Sequence, residues 1–452
     1  MSSTALHVGF ATIDVTPPLG LPLAGYGQRV GVADGVEDPL TVRAVAFRDP
    51  RDGSVVALLS TDLVSYAPRT IERFRELVRA DAELGIDPDA VVVTVTHTHS
   101  APAYHEMFPT YRQDLPNEPE GSIAWGDALP QRMHEAIRTA LTEARPATLR
   151  VGSVHVDLAL HRRLIDPFGE VRLAPHPEGI HDSEVVVVRA EDAVTGACIG
   201  TLVSYACHPV VLCEDNLRYS GDYVASLLQA LEAAGGDAIF FNGACGNVNP
   251  ARRGSHGVKR AMGEALAAAV LAADLPVIEV DAIRTHARFV RVPLRHQPAE
   301  AFDAYVRAAE AALALHGDDG GFEGGRLADE VTRARAMAAR VEQRRKRFAD
   351  RIRGGELEVR QQAVRVGPIV FVTFPGETFV ELGLDLKQRS GIPHLVVVGY
   401  ADEAIGYVPT RAAYAEGGYE VTSSHVQPGA GERLVGTALE ALESIDGRSR
   451  GA

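Results

Sequence analysis

The sequence has no apolar stretch approaching the ~20 consecutive residues that a membrane-spanning helix needs, which excludes an integral helical membrane protein. Its first residues, Met1-Ser2-Ser3-Thr4-Ala5, offer no basic segment followed by an apolar run, so the expected location is cytoplasmic with no membrane partner. Cations are in short supply: 45 Lys+Arg against 60 Asp+Glu give a formal net charge of -15, a surface that repels phosphate backbones and sets nucleic acid aside as a partner. The four cysteines, Cys198, Cys207, Cys213 and Cys245, form no CxxC pair or zinc-knuckle spacing and read as reduced thiols. The motif-bearing segments contain no GxSxG elbow, Walker A loop or GxGxxG fingerprint, which places serine hydrolase, NTPase and dinucleotide readings low. Internal repeats and low-complexity linkers are absent too. What remains, 46% apolar residues in 452, is a globular chain with material for a large core.

From Val8 to about Asp274, β-rich runs alternate with helix-period runs, the pattern of an α/β fold. The strand candidates are Thr41–Phe47, Val55–Ser60, Ala90–Thr98, Thr148–Val156, Glu184–Ala190 and Gly200–Ala206. Helical spacing runs through Pro68–Ala82, Leu129–Arg145, Tyr223–Ala233 and Val258–Ala272. Residues 298–353 turn rich in Ala, Arg and Glu, broken once by a Gly-rich tract from His316 to Gly325, and read as a helical hairpin inserted in one catalytic domain spanning 1–446. Strands return at Glu358–Val366, Ile369–Phe374 and His394–Tyr400, with helices at Glu381–Arg389 and Arg433–Glu443, and 447–452 is a tail. A dimer contact, a lid and a buttress all stay open for the helical segment, so a homo-oligomer is among the alternatives.

Sixteen histidines are present, and several follow apolar strand-like runs. In Val91-Val92-Val93-Thr94-Val95-Thr96-His97-Thr98-His99-Ser100, a period of two places His97 and His99 on one face at a strand end, where α/β folds bind ligands. Neutral imidazoles so placed suit a metal, although two hydrogen-bonded structural histidines fit equally. His208, before Pro209, repeats the arrangement. Asp222 reads as an N-cap of the following helix. The run Asn242-Gly243-Ala244-Cys245-Gly246-Asn247-Val248-Asn249-Pro250 reads as a backbone-donor loop for an oxyanion, with Asn247 and Asn249 facing it, or as a plain tight turn. Glu377 follows a strand at a Pro-Gly turn that also resembles a helix start, and Tyr407 and Tyr419 each stand beside a glycine. The connection Ala103–Gly126, with Arg112 and Trp125, reads as a lid, a pocket wall or a packed surface loop.

With these segments in order, the chain resembles the neutral, non-lysosomal ceramidase family in its N-terminal catalytic domain, from Val8-Gly9-Phe10-Ala11-Thr12-Ile13-Asp14-Val15-Thr16-Pro17-Pro18 to about Glu420. The resemblance implies stacked central mixed β-sheets flanked by helices. It implies zinc held by His97, His208, Glu377 and Tyr407, with His99, Arg162 and Tyr419 as catalytic residues and Arg163 the neighbour that competes with Arg162 for that role. It implies hydrolysis of a carbon–nitrogen amide bond by metal-activated water, with His99 as general base and then acid. This chain departs from the family where Gly246-Asn247-Val248-Asn249-Pro250 stands for Gly-Asp-Val-Ser-Pro, so that Asn249 replaces a serine, and where Ala101, Pro102 and Ala103 replace glycines. Neither a secretion segment nor an immunoglobulin-like C-terminal domain is expected. The expected substrate is therefore a soluble, small amide rather than ceramide. The alternatives are an ester, lactone or cyclic-amide hydrolase, a true ceramide N-deacylase, a hydrolase with Cys245 as nucleophile, and a non-enzymatic metal-binding protein.

Overall fold

The computed structural model describes residues 5–105, 120–295, 299–316, 326–328, 330–332, 334–335, 348–402 and 405–446. In chain order the elements that matter are strands β1 (His7–Asp14), β2 (Thr41–Arg48) and β3 (Val55–Thr61), helix α1 (Pro68–Ala80), β4 (Val91–Val95), α2 (Ser122–Thr142), β5 (Arg145–His155), β6 (Ala159–Ile165), β7 (Val171–His176), β8 (Glu184–Asp192) and β9 (Cys198–Tyr205). There follow α3 (Asp222–Ala234), β10 (Asp237–Asn242), β11 (Val248–Pro250), α4 (His256–Leu271), β12 (Ile283–Pro293), α5 (Ala299–His316), β13 (Glu356–Val366), β14 (Ile369–Thr373) and β15 (Glu377–Thr378). The last are α6 (Val380–Ser390), β16 (Leu395–Val398), β17 (Tyr407–Val408), α7 (Arg411–Glu416), α8 (Tyr419–Ser423) and α9 (Ala430–Ile445).

Two mixed sheets carry the fold. The larger runs β10-β9-β8-β5-β1-β2-β3-β4 and the smaller β12-β13-β14-β16. Both are antiparallel except at β3–β4, β9–β10 and β14–β16, which run parallel. The sheets stack through a shared apolar layer in which Val8, Phe47, Leu58 and Phe241 of one meet Val364 and Phe371 of the other, the last pair of rings edge to face at 6.4 Å. Helices α1 to α4 cover the outer face of the large sheet, and α6 and α9 that of the small one. Among the described residues of 299–335, Ala309 of α5 packs on Val331 and Ala334, and Glu310 pairs with Arg335. The Gly-rich tract at 317–325, Arg112 and the 447–452 tail lie outside the described residues.

Two local readings change. Trp125 belongs to α2, which begins at Ser122, and its Nε1–H donates to Val15 O at 2.7 Å, so this part of the 103–126 connection is helix rather than loop. Asp222 is not an N-cap: it is the first residue of α3, at φ +57°, and its carboxylate accepts the N–H groups of Val211, Leu212 and Tyr223.

The two outer strands of the large sheet meet at their C-terminal ends. Asn242, ending β10, donates to Thr96 O just past β4 at 3.0 Å, and Gly399 N, just past β16, donates to Asn242 O at 2.9 Å. Asp402 N and Thr94 Oγ1 complete the closure on Val93 O and Gly399 O, so the β4 edge is covered by the loop after β16. The parallel pairs therefore end together, which is where a mixed α/β fold presents loops to a ligand.

Candidate metal centre and active site

His97 leaves the strand before it reaches the site. β4 stops at Val95, and Thr96 N and His97 N bond to Thr61 O and Leu63 O, so the chain follows the exit of β3. His97 itself has φ +68°. The expectation that strand alternation aims both histidines is corrected: a left-handed turn, not the pleat, brings His97 Nε2 to 3.3 Å from His99 Nε2. His208 follows β9, Glu377 follows β14, and Tyr400 follows β16. Four non-glycine residues among those described have left-handed φ, and all build this region: His97, Tyr400 stacked on it at 4.0 Å, Asp402 two residues further, and Asp222 behind the His208 loop. Backbone strain concentrated in one place points to a functional site.

The hydrogen bonds fix the tautomers of two rings. His97 Nδ1 lies 2.6 Å from Val64 O, and His208 Nδ1 lies 2.7 Å from Cys245 O. A carbonyl only accepts, so each Nδ1 carries the proton and each Nε2 turns a lone pair inward. Glu377 Oε2 stands 3.2 Å from His208 Nε2 and 3.5 Å from His97 Nε2. Burial and the Arg162 charge bring His208 down to about 4, so it is neutral at pH 7. Burial alone would raise Glu377, but His208 and His97 outweigh it and hold the carboxyl well below the usual range. Three acceptors, two of them buried imidazoles, thus face one another with no proton of their own between them, an arrangement that a divalent cation satisfies. His97, His99 and His208 also bring ring nitrogens within 4.8 Å of one another. His99 differs from the other two: its Nδ1 is buried and has no hydrogen-bond partner. Burial and the two neighbouring imidazoles push its pKa well below the ordinary value.

Tyr407 reaches the cluster through the backbone. β15 and β17 pair in parallel with Glu377 opposite Tyr407, so two residues 30 apart in sequence are held side by side. The Glu377 turn is therefore a short strand; the helix starts only at Val380. Arg162 Nη2 donates to Tyr407 OH at 3.0 Å, Nη1 to Asn249 Oδ1 at 3.1 Å, and Nε to Glu420 Oε1 at 2.9 Å. Arg163 points elsewhere, to Glu420 Oε2, Glu416 and Gly417 O, so of the two arginines Arg162 is the one beside Tyr407. Tyr419, 47% exposed, sets its ring edge-on to Tyr407 at 5.6 Å.

Asn247 does not join them. Its Nδ2 donates to Glu381 Oε2 at 2.8 Å beside His161, while its Oδ1 accepts Val380 N, so this buried amide is anchored at the start of α6. Cys245 is likewise set aside as a nucleophile. Its buried Sγ packs at 3.0 Å from Tyr400 OH, and burial pushes the thiol up to about 12, far from the thiolate a nucleophile needs.

Sequence reading missed Tyr400 and the wall formed by residues 24–29. Tyr400 carries the same signal as His97, a polar ring at the end of an apolar strand. Gly25 had no such signal. At φ +97° it lies flat on His99, and a Cβ there would fall 2.3 Å from His99 Cγ. Gly25→Ala is expected to displace the His99 ring and lower kcat well beyond any change in bound metal; unchanged kinetics in a folded variant would disprove the contact.

Asp222 supplies a pH signature. Its burial raises the carboxyl from 3.8 to about 6. A raised carboxyl binds its proton more tightly when folded, so its contribution to stability is full below 3.8 and is lost as pH rises through 6. The stability difference between wild type and Asp222→Asn is therefore expected to move by about 2 kcal/mol in favour of the variant from pH 4 to 7. Urea titrations at both pH values measure this, and a pH-independent difference would refute it.

A solved structure described as neutral ceramidase from Pseudomonas aeruginosa superposes with a TM-score of 0.73 at 19% identity, over 98% of this chain and 75% of its own. A second, described as ceramidase complexed with C2, gives 0.72 at 19% identity over 98% and 76%. These similarities establish the stacked α/β fold. No described helix is long and apolar enough to cross a membrane. Residues 6–254 match the profile of the neutral/alkaline non-lysosomal ceramidase N-terminal domain, more than half of the chain, and the protein therefore belongs to that family of amide-bond hydrolases.

Proposed function

We propose that the protein is a zinc-dependent hydrolase that cleaves the carbon–nitrogen bond of a small, soluble amide. The observation that carries this reading is the difference between the histidines. His97 and His208 have the Nδ1–H···O=C bond that metal-ligating histidines nearly always make, and His99 does not. His97, His208 and Glu377, with Tyr407 alongside, would hold the metal, a nitrogen and oxygen donor set suited to zinc. Zinc bound there would supply a Lewis acid and water acidified toward neutral pH.

The chain's own groups divide the remaining work. His99, neutral because it is buried, takes a proton at one ring nitrogen and returns it to the departing amine. Arg162 stays charged, since Tyr407 and Glu420 outweigh its burial, and with Tyr407 it faces the carbonyl oxygen as negative charge develops there. Asn249, whose carbonyl oxygen is taken by Arg162, keeps its amide hydrogens for the substrate. Tyr419 stands at the rim.

The test is metal content by plasma mass spectrometry, with turnover measured before and after chelation on an acyl amide, the ester of the same acyl group and ceramide in micelles. About one zinc per chain, chelator-sensitive cleavage and preference for the small amide are expected. Turnover indifferent to chelation would overturn the metal assignment. Ceramide cleaved faster than every small amide would overturn the substrate class.

A further inference from the structure

We infer that the amine half of the substrate carries a carboxylate, and that Arg253 binds it beside Tyr26. This rests on the amide-hydrolase reading and adds the charge of the leaving group. The group that returns a proton to the departing nitrogen must border the amine half of the substrate. His99 touches Tyr26 as well as His97, each edge-on with centroids 5.0 Å apart. The Tyr26 hydroxyl donates to Leu212 O at 3.0 Å and accepts from Arg253 Nη2 at 2.7 Å, and Arg253 Nε donates to Val210 O at 2.6 Å.

Arg253 is thus held at two of its nitrogens, while its Nη1 makes no hydrogen bond to any described residue. Its side chain is exposed, and no described carboxylate lies within ion-pair distance of it. Nη1 and the second hydrogen of Nη2 form an open fork, the arrangement that takes a carboxylate through two parallel bonds. The contrast is Arg29, also against Tyr26. It places Nε, Nη1 and Nη2 on the carbonyls of Glu214, Ala24, His99 and Cys213 and is a clamp for the wall. Arg29 closes the loop over His99; Arg253 faces outward with its fork unspent. The run of contacts goes from Arg162 through Tyr407, Glu377, His97 and His99 to Tyr26 and Arg253, with the two arginines at opposite ends. Arg162 serves the carbonyl oxygen, and Arg253 serves the amine half. In a chain of net charge -15, an exposed guanidinium beside Tyr26 also offsets the repulsion an anionic substrate would otherwise meet.

The substrate class that follows is an N-acyl amino acid. Water adds its oxygen to the acyl carbon, the C–N bond breaks, and the products are an acyl carboxylate and a zwitterionic amino acid, with both water protons ending on the nitrogen. The test compares N-octanoylglycine with N-octanoylglycinamide, which differ only in the charge of the amine half. Wild type is expected to favour the acid by roughly tenfold or more in kcat/KM. Arg253→Met is expected to bring that ratio near one through KM, and Arg253→Lys to restore part of it. Damage to the fold would lower both rates and leave the ratio in place. A wild-type ratio near one, or a ratio unchanged in Arg253→Met, overturns the inference. Cleavage of other amides but of neither probe overturns it alone, whereas no cleavage of any amide overturns the reading beneath it as well.

Discussion

His99→Ala is expected to keep its zinc while kcat falls by roughly 10²–10⁴-fold, the span that a positioned general acid–base contributes. His97→Ala and His208→Ala are expected to lose metal and turnover together. The split follows from the Nδ1 atoms. Val64 O and Cys245 O fix the rings of His97 and His208 with Nε2 turned to Glu377, and removing either ring removes one of three converging acceptors. Nothing fixes His99 Nδ1 in this way, so the ring contributes a titratable nitrogen and not an anchored ligand. Metal analysis and steady-state kinetics on the three variants decide it. Equal metal loss in all three would make His99 a ligand and require another base.

Arg162→Ala is expected to cost about 3–5 kcal/mol of stability, because it breaks a buried ion pair and leaves a charge behind. Glu420 is 1% exposed and shares its two oxygens between Arg162 and Arg163; without Arg162, one oxygen loses its partner out of reach of water. Turnover is expected to fall as well, by about 10²–10³-fold, if Arg162 and Tyr407 meet the developing oxyanion. The two effects separate in Arg162→Lys. A lysine can still neutralise Glu420, but its single nitrogen cannot also reach Tyr407 and Asn249, so stability should recover more than rate. The control is Glu416→Gln, at the exposed end of the same network, for which a change within about 1 kcal/mol is expected. Denaturant unfolding gives the first number and kcat the second; a stable, inactive Arg162→Ala would show that Glu420 tolerates its loss.

The strands were legible wherever an apolar run of β-branched residues was bounded by turn residues. Val55–Thr61 and Ile369–Thr373 lie within a residue of their expected ends, since burial on both faces leaves a continuous signal. The site was legible as separate strand ends, because His97, His208 and Glu377 each follow such a run. What joins them was not. Pairing of Glu377 with Tyr407 is a parallel contact of two residues, too short to leave a periodicity. The period-two argument for His97 and His99 reached the right neighbours by the wrong geometry, since a left-handed residue between strand and site carries no mark in the sequence when it is not glycine. Asn247 illustrates the reverse. Its turn composition suggested a donor loop, but an amide buried between His161 and Glu381 is consumed by packing, and burial cannot be read from a Gly-Asn pattern.

The way the four candidate ligands are drawn from the two sheets has a consequence for how the chain matures. His97 and His208 hang from the large sheet, Glu377 from the small one, and Tyr407 joins only when β15 and β17 zip together. No fragment of the chain contains the site. A chain whose sheets have formed but not yet stacked offers the three imidazoles without Glu377 or Tyr407, so an ion that needs all four candidate donors would select the finished molecule and stabilise it alone. Loading would then act as an inspection at the end of assembly, and defects far from the centre, in the Phe241–Phe371 layer between the sheets for example, would register first as chains that never fill.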